Sequence, residues 1–112
     1  MTHLNATLFV AQRASAAILA VAVTVHLATI IYAVRGGLTA AEILGRTRHN
    51  GWFLALYFVF VLAVAIHAPI GLRNIAREWT AWRGRSLDVA LAVFAAALAV
   101  LGISAALALF HA

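Results

Sequence analysis

Three long stretches without a charged residue organise the chain: residues 14–34, 52–72 and 89–110, of 21, 21 and 22 residues. At about 1.5 Å per helical residue each covers roughly 30 Å, the thickness of a bilayer's hydrocarbon core. Each is therefore expected to cross a membrane as a helix. Polar and aromatic positions mark the ends. Tyr32, Arg35 and Gly36-Gly37 close the first run, and Trp52, Phe53, Tyr57, Phe58 and Phe60 crowd the start of the second. Arg73, Arg77, Arg83 and Arg85 follow the second run together with Glu78, Trp79 and Trp82. Rings and arginines at such places suit the headgroup level. Residues 1–12 read as a mixed, interfacial lead-in with a helix start at Asn5-Ala6-Thr7. Thr39-Ala40-Ala41-Glu42 fits a capping box, so the first loop should carry a short interfacial helix. The expected architecture is an all-α membrane protein with three transmembrane helices (about 13–35, 51–74 and 87–110). They form one anchor domain, 1–112, within a multi-subunit helical bundle. Ala95, Ala99, Gly102 and Ala106 would let the third helix approach a neighbour closely.

Composition sharpens this picture. The chain is 66% hydrophobic and 10% charged, against about 25% charged in ordinary soluble domains. Its mean hydropathy of +1.04 excludes a water-soluble globule. The net charge of +5 comes from arginines at the edges of apolar runs. It therefore points to anionic lipid and membrane topology, and to no nucleic-acid partner. The first run is too long for a signal-peptide core of about 7–15 residues. Arg13, Arg73, Arg77, Arg83 and Arg85 fall on one side, and Arg35, Arg46 and Arg48 on the other. The positive-inside rule then places the N-terminus in the cytoplasm. With no cysteine, disulfides, thiolate zinc sites, iron–sulfur clusters and covalently attached haem are excluded.

Five histidines are present. His3, His49 and His111 lie at termini or in a loop, where an interfacial imidazole needs no further explanation. His26 and His67 lie inside the first and second spans, where an ionisable group is costly and usually has a partner. Two readings stay open for them: hydrogen bonding across a helix interface, or axial ligation of a b-type haem. At 100° per residue Ser15, Leu19, Ala22, His26, Thr29 and Ala33 share one face of the first helix. Phe60, Ala63, His67, Gly71, Asn74 and Glu78 share a face of the second. Ala22, Ala63 and Gly71 beside the histidines leave room for a flat macrocycle or for close helix packing. Pro69 cannot donate to the carbonyl of Ala65, so a distortion is expected one turn around His67. Counted from their shared loop, the two histidines differ in depth by roughly 8–9 Å, whereas two axial nitrogens on one iron lie about 4 Å apart. Each histidine would then need a ligand from another chain. Arg13, Ser15, Arg73 and Arg77 sit at one mouth, placed for snorkelling, for haem propionates, or for a quinone carbonyl. No hydrolytic constellation or phosphate-binding loop is visible.

At these residues the chain resembles the cytochrome b membrane-anchor subunit of succinate dehydrogenase and fumarate reductase. That family's first helix opens with a His-Arg-x-Ser-Gly pattern, and Gln12-Arg13-Ala14-Ser15-Ala16 keeps the Arg and Ser. Its second helix ends in His-x-x-x-Gly-Ile-Arg-His-x-x-x-Asp. Here His67-Ala68-Pro69-Ile70-Gly71-Leu72-Arg73-Asn74-Ile75-Ala76-Arg77-Glu78 keeps the His, Gly and Arg, with Glu at the acidic position. Gln12 and Asn74 stand where the patterns have histidine. The resemblance implies that His67 is an axial ligand of haem b, with Gly71 and Arg73 beside it, and that Arg13 and Ser15 belong to a quinone pocket. His26 sits where di-haem anchors of the superfamily place a first-helix ligand, which gives one or two haems per assembled anchor. Implied partners are flavoprotein and iron–sulfur subunits and a second anchor chain, identical or heteromeric, with quinone as substrate. The implied location is a bacterial inner membrane. Such a subunit carries no catalytic residue of its own. Alternatives from the residues alone are a haem-free structural or assembly protein, and the cytochrome b subunit of another membrane dehydrogenase.

Overall fold

A computed structural model describes residues 3–112. Four helices follow in order: α1 (His3–Gly36), α2 (Ala40–Thr47), α3 (Gly51–Trp79) and α4 (Arg85–His111). α1, α3 and α4 are each long and apolar enough to cross a membrane. The long axis of the molecule, 49 Å, exceeds the roughly 30 Å hydrocarbon core, so the helix ends project into the headgroup layers. α1 is continuous from His3, so residues 3–12 extend the span and form no separate lead-in. The sequence explains this: no glycine or proline interrupts the stretch before Gly36.

The turn after α1 depends on Gly37, whose φ of +116° closes the helix through its N–H to the carbonyl of Ala33. The Glu42 carboxylate occupies the space beside Gly37 where a Cβ would lie, and Arg46 Nη2 donates to the Gly37 carbonyl at 2.5 Å. Thr39 caps α2 by accepting the Glu42 N–H at 3.2 Å, as the capping box leads one to expect. Asn50 caps α3 by accepting from the N–H groups of Trp52 and Phe53. Pro69 is buried inside α3, which continues through it to Trp79.

α3 is the central element, packed along α1 on one side and α4 on the other. The covered stripe of α1 holds Leu8, Gln12, Ser15, Leu19, Ala22, His26, Thr29 and Ala33, at alternating spacings of three and four. This is the seam of helices crossing at a small angle. The stripe of α4 holds Leu87, Leu91, Ala95, Leu98, Gly102 and Ala106. Gly102 is the tightest point, because a Cβ there would come within 2.6 Å of Val61 Cγ1. At the far end the His49 N–H donates to the carbonyl of Phe110 at 2.9 Å, which ties the first loop to the last turn of α4. At the near end Arg73 Nε meets Asp88 Oδ1 at 3.1 Å and links the end of α3 to the start of α4.

Candidate functional site in the α1–α3 groove

α1 and α3 run antiparallel, and three contacts fix their register. A Cβ on Gly71 would lie 3.5 Å from Gln12 Nε2, Ser15 Oγ lies 3.4 Å from His67 Nδ1, and the His26 ring meets Tyr57 and Phe60 edge-on at centroid distances of 6.2 and 5.5 Å. His67 therefore lies at the level of Ser15, eleven residues along α1 from His26, or roughly 16 Å. This separation is wider than loop counting suggests, because α3 sits about one turn further along α1 than that count assumes. The two imidazoles cannot share one iron.

His67 is half-buried in the groove, flanked by buried Ala63 and Ile70. Its Nδ1 faces Ser15, whose side chain is enclosed, the residue being only 3% exposed. Its Nε2 makes no hydrogen bond among the described residues and is not fully enclosed. An imidazole that ligates a metal through one nitrogen generally engages a neighbour through the other, so His67 fits an axial-ligand role. His26 differs. Its Nδ1 is buried without a hydrogen-bond partner, and its supports are the rings of Tyr57 and Phe60. It offers a nitrogen without the second bond. It also lines a separate cavity of about 110 Å³ near the opposite end, with Thr29, Arg46, Thr47 and Tyr57.

One helical turn beyond His67, Gln12, Arg13, Arg73, Asn74 and Arg77 line a cavity of about 340 Å³ together with Phe9. Arg13 also lies over the Phe9 ring, at 5.9 Å from its centroid. Gln12 Oε1 is buried without a partner, and three guanidinium groups line the cavity beside that side chain. Such a wall suits a ligand with oxygens for the arginines. The structure brings Arg13 and Arg73 together there. Ser15 lies outside this lining, held by Gln12 and His67, and Gly71 abuts it through Gln12. The motif names Gln12 only as a departure from histidine, and it gives no sign of its burial or of the pairing of Arg73 with Asp88. The signal for Gln12 was a polar residue on the same stripe as Ser15 and His26.

The family described as Succinate dehydrogenase/Fumarate reductase transmembrane subunit matches residues 1–110. The chain belongs to this family. No curated protein and no solved structure matches it. The protein is accordingly a multi-pass transmembrane subunit of a succinate dehydrogenase/fumarate reductase complex, associated with other subunits of that enzyme. In that setting the α1–α3 groove is a surface that neighbouring chains can complete.

Proposed function

We propose that this subunit binds haem b and takes part in quinone reaction in the anchor of the complex. Electrons removed from a dicarboxylate by a soluble flavoprotein would pass through the iron–sulfur subunit to the membrane. His67 would hold the haem iron from this chain, with a further ligand supplied by another anchor chain, identical or heteromeric. A bound haem b supplies a one-electron couple between the iron–sulfur centres and quinone. Arg73 and Arg77 would neutralise anionic groups in the cavity they share with Arg13, which would orient a quinone oxygen there. His26, at the other depth, would ligate a second haem where a partner chain supplies what its Nδ1 lacks. The arginine distribution supports a cytoplasmic N-terminus, with the chain in a bacterial inner membrane and the soluble subunits on the Arg73–Arg85 side.

The observation that carries the reading is His67 itself: an imidazole at membrane depth with Nδ1 engaged and Nε2 free of any hydrogen bond among the described residues. The test is the absorption spectrum of the purified complex. A dithionite-reducible b-type spectrum that disappears in His67→Ala is expected. A colourless complex with no pyridine haemochrome would overturn the proposal and leave helix packing as the use of both histidines.

A further inference from the structure

Ser15 has the two partners that decide the chemistry of His67. Its Oγ lies 3.1 Å from the carbonyl of Gln12, one turn back in α1, and 3.4 Å from His67 Nδ1. A hydroxyl has one proton and two lone pairs. A carbonyl can only accept, so the contact with Gln12 consumes the proton of Ser15. Towards His67 the same oxygen then has only lone pairs to offer, and the facing ring nitrogen has to carry a hydrogen. We infer that Ser15 is a positioning residue that holds His67 in the Nδ1–H tautomer, leaving the Nε2 lone pair free. This differs from the quinone-carbonyl role that the Arg-x-Ser motif suggests, and two observations favour it. Ser15 is 3% exposed, and it is absent from the lining of the arginine cavity one turn away.

The arrangement is self-contained. Its three members, the Gln12 carbonyl, the Ser15 hydroxyl and the His67 imidazole, belong to this chain and stand before any cofactor or partner arrives. In a lipid-facing bundle little water competes for the bond, so a modest hydrogen bond is enough to bias the tautomer. A ligand nitrogen held in one tautomer and orientation needs no rearrangement on binding.

The inference rests on the haem-ligand reading for its purpose but not for its test. The full-length chain, labelled with 15N-histidine and produced without haem in lipid nanodiscs, reports the tautomer of each imidazole through long-range 15N–1H correlations. His67 is expected as Nδ1–H in the parent, as Nε2–H or a mixture in Ser15→Ala, and as Nδ1–H again in Ser15→Thr, which keeps the hydroxyl. An Nε2–H form in the parent overturns the inference, as does a His67 signal indifferent to Ser15→Ala. In the assembled complex the same variant should keep its haem but shift the midpoint potential upward, because the ring loses an acceptor that makes it more electron-donating. An Nδ1–H tautomer that depends on Ser15 in a complex without haem would sustain this inference while removing the haem proposal.

Discussion

Single residues carry the chemistry, and each separates a binding effect from a folding effect. Arg13 lines the quinone-sized cavity but reaches it from an exposed position on α1. Arg13→Ala should leave the haem spectrum intact and raise the quinone KM about tenfold or more in steady-state assays of the complex, as expected when a charge-assisted hydrogen bond worth about 1.5–3 kcal/mol is lost. His67 and His26 were legible because an ionisable side chain inside an apolar run is conspicuous. The identity of their neighbours was not. Which residue faces His67 depends on the register of two helices joined across 52 positions, and apolar periodicity gives the face of a helix without its height. That is why the motif places Ser15 in a pocket without indicating that its hydroxyl faces the Gln12 carbonyl and His67.

At the scale of elements, the seams were well specified. The face proposed for the first helix, from Ser15 to Ala33, is the stripe that packs on α3, because threes and fours in the sequence become one side of a helix. Small residues on α4 likewise mark its contact with α3, and Gly102 sets the closest approach. Val61 is β-branched and has little freedom to turn away from an added methyl group. Gly102→Ala is expected to destabilise the α3–α4 pair by roughly 1–3 kcal/mol. The measurement is thermal unfolding in detergent, with Ala99→Gly as a control on the same helix. The helix ends were less legible. α1 is already helical at His3, the first described residue, because nothing in its polar first turns breaks a helix, and hydropathy registers where lipid ends, not where a helix does. The Asn50 cap was likewise hidden, since asparagine before an apolar run serves turns and caps alike.

For the whole molecule, three spans put His3 and the Thr80–Gly84 link on one side, with α2 and His111 on the other. The chain has no cysteine, so orientation is directly measurable. Thr80→Cys should react with a membrane-impermeant maleimide only after the inner face is opened, and Leu38→Cys should react in intact spheroplasts. The reverse pattern would invert the topology. The central place of α3 has a further consequence for biogenesis. α1 leaves the insertion machinery first, with Ser15, His26 and Thr29 on a face that has no helix yet to cover it. Its cover arrives only when α3 has been synthesised and inserted, and α4 then closes the other flank. Until that moment the polar stripe of α1 is a waiting surface in lipid, open to chaperoning and to capture by a neighbouring anchor chain. A chain that stops before α3 leaves that stripe uncovered, and a chain that has passed it presents a groove.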